Sequence, residues 1–273
     1  SVLTPTFRYH PGVVAQAFAT LGLLNPGRII LGVGSGESLN EVPLGLTWPA
    51  GPERFARLKE AVTLIRTLWT QDRVTYEGTY YSTHNATIYD KPDQLVPIYI
   101  GASGPAATRL AGRIADGFIT TSGKNPALYT DTLLPALAEG AGKVGRTLND
   151  LDTLIEMKVS FDHNLTRARN DTKYWAALAL SPEEKTGVED PIQMQQLADA
   201  LPVERAASRW IVSDDPDEHI TRIRQYLDLG FRHLVFHAPG PDQNAFWTST
   251  APRSCPGCGL WTSGEPGRRA QES

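Results

Sequence analysis

Only two cysteines occur in 273 residues, Cys255 and Cys258, both near the end. The body of the chain therefore carries no disulfide framework, and this usage points to a reducing cytoplasm. The pair forms the C-x-x-C of SCPGCG, but it does not open a helix in a βα setting and no second ligand pair accompanies it, so neither redox chemistry nor any metal site is expected. Apolar runs near the ~20 residues of a membrane span are also missing, and no membrane association is expected. Positive charge is not in excess: 26 Lys and Arg stand against 30 Asp and Glu, a net charge of -4. Without a general field for nucleic acid, an anion has to be held by a few placed cations. The sequons at Asn85, Asn164 and Asn170 carry little weight without a secretory signal. The chain has no initiator Met, and Ser1 runs at once into the strand-like VLTP, so a missing upstream segment is expected.

What is present suits a large core, with 41% hydrophobic and 21% charged residues. Short β-rich runs (SVLT, RIILGVG, PIYIGA, GFITTS, LIEMKVSF and HLVFHA) alternate with segments of helical periodicity at 53–71, 104–115 and 215–230. Alternation of this kind builds a parallel sheet from repeated βα units. Several strands end in small or polar residues, VGSGE, IGASG, TTSGK and FHAPG, as at the active face of a (β/α)₈ barrel. The fold expected is an α/β TIM barrel. Six strands are visible where closure takes eight, so two βα units are expected before Ser1. Residues 156–210 read as a strand followed by an insertion that caps the C-terminal face. From Trp247 onward the chain is rich in Ser, Gly and Pro without apolar period, and is expected to be disordered or weakly packed.

The stretch LGVGSGESLNE places Gly32, Gly34 and Gly36 before Glu37. A dinucleotide loop would need its last glycine where Glu37 stands, and a carboxylate there would face the pyrophosphate. Two readings remain open on the residues alone. The glycines supply positive φ for a tight turn, or they let a flat cofactor approach the backbone beneath Glu37. IGASGPAATRL is a glycine-rich turn entering a helix; it suits a phosphate, and equally an ordinary helix start.

Taken in order, SVLTPTFRYHPGVVAQAFATLG, ILGVGSGESLNE, ERFARLKEAV, YIGASGPAATRLAGRIADGFITTSGK, RWIVSDDPDEHI and HLVFHAPG resemble the luciferase-like flavin and deazaflavin barrel superfamily, and within it the coenzyme F420-dependent dehydrogenases of glucose 6-phosphate. The resemblance runs from Ser1 to about Gln243. It implies an incomplete barrel domain over 1–243 and a tail over 244–273 that is foreign to the family. It also implies a homodimer, coenzyme F420 as cofactor, and hydride transfer from C1 of glucose 6-phosphate to C5 of the deazaflavin, giving 6-phosphogluconolactone and reduced F420.

By that resemblance, Ser1 and Val2 match a strand-end pair whose non-prolyl cis peptide lies behind the deazaflavin, with Thr4 beside it. Glu37 matches the acid that protonates the deazaflavin, and Ser35, Gly36 and Asn40 line the same wall. Gly101, Ala102, Ser103 and Gly104 match the loop around the cofactor's phosphate and tail. Thr121, Lys124, Lys185 and Arg209 match the positions that bind the sugar phosphate. Hydride arrival puts negative charge on the acceptor, so a proton donor at Glu37 is chemically apt. A dianion in an acidic protein needs several cations aimed at one point, which Lys124, Lys185 and Arg209 supply.

The family's catalytic histidine, its neighbouring aspartate and a sugar-stabilising tryptophan fall upstream of Ser1, and His10 in FRYHPG is not that histidine. The 273-residue chain by itself is therefore expected not to turn over, unlike one with the upstream segment. Alternatives are a different F420-dependent or FMN-dependent oxidoreductase of the superfamily, or an inactive deazaflavin-binding fragment.

Overall fold

The computed structural model describes residues 3–5, 8–242 and 246. Strand β1 (Leu3–Pro5) leads to helix α1 (Pro11–Leu24), and β2 (Leu31–Gly34) leads to the short α2 (Ser38–Glu41) and the long α3 (Gly51–Thr70). A hairpin of β3 (Val74–Glu77) and β4 (Ser82–Ala86) precedes β5 (Ile98–Gly101), α4 (Pro105–Ile114), β6 (Gly117–Thr121), α5 (Leu134–Gly142) and β7 (Asp152–Phe161). Helices α6 (Leu165–Asp171), α7 (Pro182–Lys185), α8 (Pro191–Asp199) and α9 (Val203–Ala207) follow, then β8 (Ile211–Ser213), α10 (Pro216–Asp228) and β9 (His233–His237).

Among the described residues, seven strands form one sheet, all paired in parallel. The path runs β1-β2-β5-β6-β7, with β9 on the middle of β7 and β8 on its C-terminal end. Parallel pairing puts every strand's C-terminus on one rim, which is where the site forms. The core lies on both faces of the sheet. Ile98, Ile100, Phe118, Ile155, Met157 and Val159 pack outward beneath the helices in the main core. Tyr99, Ile119 and Leu154 form a separate cluster on the inner face. Because strand side chains alternate, Thr121, Glu156 and Lys158 share the inner face with Ile119 and Leu154. At the opposite end, the Tyr99 hydroxyl donates to Asp152 at 2.5 Å and His233 Nδ1 lies 2.8 Å from the same carboxylate, closing the floor of the interior.

All six expected strands and the three expected helices are present, within a few residues of their expected ends. Among the elements not anticipated are α1, the β3–β4 hairpin and β8. Helix α1 is apolar nearly all round, so it lacks the contrast between faces; Val13, Leu21, Leu23 and Leu24 are exposed, while Trp69 on α3 donates from its indole to the Ala15 carbonyl at 2.9 Å. The β3–β4 hairpin is short, and β4, STHNA, is polar without regular alternation. It is fixed from outside, by the Glu60 carboxylate accepting from the backbone N–H groups of Thr79, Tyr80 and Tyr81 at 2.8–3.1 Å. Strand β8 has three residues, too few for a period.

The segment after β7 is an insertion with its own core of Ala176, Leu180, Val188, Met194, Ala198, Leu201 and Ala206. Leu39 on α2 packs against that core, so the insertion lies over the rim beside α2. Phe246 is buried in the main core; the other tail residues, both cysteines, Ser1 and Val2 lie outside the described residues.

Candidate active site

Glu37 occupies the N-cap position of α2 with an exposed side chain, and that side chain makes no capping hydrogen bond. The helix below it is held by Glu41, fully buried, which receives Arg8 Nε at 3.0 Å and Nη2 at 2.5 Å. Ser35 and Gly36 form the half-buried link from β2, Gly36 at φ +75°, and Asn40 lies exposed on α2. Of the turn-against-cofactor alternatives, Gly36 satisfies the first. Gly32 and Gly34 fall on the inner face of β2, alternating with outward-packed Leu31 and Val33. Thr4 lies in β1 opposite Val33.

Gly101 ends β5, and the Ala102 N–H donates to the Ile119 carbonyl at 2.9 Å, tying this loop to β6. Ser103 is exposed. Gly104 is the N-cap of α4 and has no side chain to satisfy the helix's first N–H groups; a Cβ there would meet nothing within 4 Å. That leaves an open helix N-terminus at the rim, suited to an anionic group.

Thr121, at the end of β6, is opposite Glu156 in register. Its carbonyl accepts from the Tyr129 hydroxyl at 2.8 Å. Ser122 then locks the loop to β7: its N–H donates to the Glu156 carbonyl at 2.8 Å and its Oγ accepts from the Lys158 N–H at 2.7 Å. Gly123, at φ +74°, brings the backbone against Arg209, and its N–H donates to the Tyr226 hydroxyl at 3.2 Å. Lys124 follows, partly buried. Lys185 ends α7, a single turn built by the reciprocal capping of Ser181 and Glu184 and braced by Arg205 on Glu184.

Burial chiefly, then Arg209, Lys158 and Lys185, push the Lys124 ammonium below the ordinary lysine value. Burial lowers Lys185 as well, with Glu37 pulling it up and Arg209 down. The same holds for Lys158, lowered by burial and Arg209 and supported by Glu156. Mutual repulsion among half-buried cations is what an arriving dianion relieves. Arg209 Nε is buried and has no hydrogen-bond partner among the described residues, an unused donor in the same cluster. Thus the structure brings together Lys124, Lys185 and Arg209 from three separate segments, places Thr121 in the same rim layer, and sets Lys185 within electrostatic reach of Glu37.

A sequence model of the luciferase-like monooxygenase family matches residues 1–233. The chain belongs to this family. Among luciferase-like relatives, an F420-dependent glucose-6-phosphate dehydrogenase of Nakamurella multipartita is 75% identical over 246 residues, covering 90% of this chain and 73% of the relative. The protein of the same description from Microbacterium testaceum is 69% identical over the same span, with the same coverage of each chain. Of solved structures, an F420-dependent secondary alcohol dehydrogenase with an F420-acetone adduct superposes with TM-score 0.84 at 30% identity, over 92% of this chain and 78% of that one. The F420-dependent tetrahydromethanopterin reductase of Methanopyrus kandleri superposes with TM-score 0.76 at 26% identity, over 92% and 81%.

The luciferase-like barrel of this chain fits a deazaflavin. The inner face of β2 carries glycines where side chains would fill the interior, and the N-terminus of α4 stands open for a phosphate. The reading from sequence missed Lys158, Glu156 and His237. Lys158 is 2% exposed and donates to Glu156 Oε2 at 3.1 Å; His237 Nδ1 lies 2.7 Å from Glu156 Oε1. Their signal was legible in LIEMKVSF, where two charges two residues apart must share one face of a strand.

Proposed function

We propose that this chain is an oxidoreductase that takes a hydride from C1 of glucose 6-phosphate and delivers it to coenzyme F420, giving 6-phosphogluconolactone and reduced F420. The observation that carries the substrate is the convergence of Lys124, Lys185 and Arg209 on one rim, with both lysines held below their ordinary proton affinity and Arg209 Nε unpaired. The relatives at 75% and 69% identity support the same activity. A secondary alcohol would have no use for three cations.

In this reading the Gly101–Gly104 loop and the first turn of α4 hold the cofactor's phosphate and tail, while Ser35, Gly36 and Asn40 line the wall beside its ring. Bound there, F420 supplies a hydride acceptor at C5. Glu37, exposed at the N-cap position of α2, is the group that would pass a proton as negative charge builds on the bound acceptor. Thr121, Lys124, Lys185 and Arg209 grip the phosphate and so fix the far end of the sugar, turning its C1 end toward the ring. Glu37 and Lys185 lie within electrostatic range of each other. Work as a homodimer in a reducing cytoplasm belongs to the same reading, supported by the resemblance and the scarcity of cysteine.

The test is loss of F420 absorbance with glucose 6-phosphate, glucose or a simple secondary alcohol as donor. It is run on the 273-residue chain and on the chain preceded by the upstream segment expected from the sequence. Reduction driven by glucose 6-phosphate alone, in either form, supports the reading. A preference for the alcohol, or no reduction with any donor in both forms, overturns it.

A further inference from the structure

Glu156 and Lys158 are two residues apart on β7, so both point into the barrel. His237 on β9 stands opposite Lys158 in register. The Glu156 carboxylate is divided between them, Oε2 taking the Lys158 ammonium at 3.1 Å and Oε1 taking His237 Nδ1 at 2.7 Å. A carboxylate only accepts, so Nδ1 carries the proton. His237 is boxed by two indoles, its ring centroid 4.5 Å from that of Trp175 and 5.1 Å from that of Trp210. Trp210 is itself buried, and its Nε1 has no hydrogen-bond partner among the described residues. The backbone of Lys158 is tied to Ser122, two residues before Lys124, and Gly123 between them touches the Arg209 carbonyl.

An inner-face lysine that served stability alone would need one carboxylate and no other charge nearby. Lys158 is instead paired with Glu156 and also lies within electrostatic range of Arg209 and Lys124. Lys124, Lys158, Lys185 and Arg209 thus lie within electrostatic range of one another at the rim, with Glu156 paired to Lys158 and Glu37 within range of Lys185.

We propose that Lys158 is a fourth cation of the phosphate site and that Glu156, clamped by His237, is its resident counter-anion, which the phosphate supplants when substrate arrives. This inference rests on the reading that the rim takes a sugar phosphate. Glu156 holds Lys158 charged and in place while the site is empty, and His237 keeps the carboxylate from following Lys158 toward the ligand. The arrangement carries a signature that a purely structural ion pair lacks. Removing the cation weakens anion binding, whereas neutralising the carboxylate strengthens it.

Inorganic phosphate is titrated calorimetrically into the wild type, Lys158→Met, Glu156→Gln and the double variant. F420 binding and thermal unfolding of each serve as fold controls. The expected results are a loss of at least about tenfold in phosphate affinity for Lys158→Met, a gain of about threefold or more for Glu156→Gln, and no gain from Glu156→Gln once Lys158 is gone. Glu156→Gln weakening phosphate as Lys158→Met does, or Lys158→Met leaving it unchanged, overturns the proposal. If Lys158→Met does not fold, the sign of the Glu156→Gln effect decides alone. A wild type that takes up no phosphate, or whose phosphate is not displaced by glucose 6-phosphate, sinks the sugar-phosphate reading itself; bound, displaceable phosphate with the wrong variant pattern sinks only the role of Lys158 and Glu156.

Discussion

A Cβ placed on Gly123 would stand 2.1 Å from the carbonyl oxygen of Arg209. Two segments far apart in sequence, the loop after β6 and the loop before β8, therefore touch through bare backbone, and each brings a cation to the rim. Gly123→Ala must push Arg209 away and also strain φ +74°. The expected outcome is at least about a tenfold loss of sugar-phosphate affinity with a stability cost of about 1–3 kcal/mol. Isothermal titration and urea unfolding read the two parts; unchanged affinity would show that the two loops are independent.

Arg8 and Glu41 make the other cross-link that positions chemistry. Glu41 is wholly buried one turn beyond Glu37, and both of its oxygens are taken by Arg8. Arg8→Met leaves that charge buried and unpaired, with an expected cost of about 3–5 kcal/mol. Arg8→Met combined with Glu41→Leu should recover most of it, because the pair is then replaced by apolar groups rather than broken. Urea unfolding of the three proteins checks this; a single variant within about 0.5 kcal/mol of wild type would contradict it.

His219 on α10 gives the protein an acid-sensitive element. It is 2% exposed, its Nδ1 is unpartnered among the described residues, and its ring meets the edge of Phe161. Burial first, and Arg222 second, push its pKa down from 6.5 to about 4. The unfolded chain therefore binds a proton that the folded chain refuses. Stability from this residue is intact above 6.5 and declines as pH falls toward 4, by up to about 3 kcal/mol. In His219→Leu this part of the decline should vanish from the pH profile of urea unfolding.

The lysines of the rim give the opposite limb. Lys124, Lys158 and Lys185 all lie below the ordinary 10.5, so they lose charge earlier than exposed lysines as pH rises. Phosphate affinity should fall within the window just below 10.5, while the ligand-free protein gains stability there as repulsion is released. Lys124→Ala removes part of this dependence and raises the KM for glucose 6-phosphate. An affinity that stays flat up to 10.5 would contradict a binding role for these lysines.

Local pattern carried most of the barrel into view. GFITTS, PIYIGA and LIEMKVSF are buried strands whose apolar runs and small C-terminal ends mark a parallel sheet and its functional rim. The hairpin at 74–86 was not legible, because its strands are short and its turn is held by Glu60 from another element. The cation cluster was legible only as matched positions, since Lys124, Lys185 and Arg209 meet by way of an insertion whose docking on α2 through Leu39 leaves no periodic trace. Lys158 was hidden differently, inside an otherwise apolar stretch of strand, although its spacing from Glu156 was there to be read. Ser1 and Val2, with the expected cis peptide, lie outside the described residues.

The most direct measurement is calorimetric titration of glucose 6-phosphate, and separately of glucose, into the protein loaded with F420. A rim built around three or four cations should bind the phosphorylated sugar at least about a hundredfold more tightly, the worth of two charge-assisted contacts. Equal affinities for the two sugars would contradict the account, because the cations would then have no part in choosing the substrate.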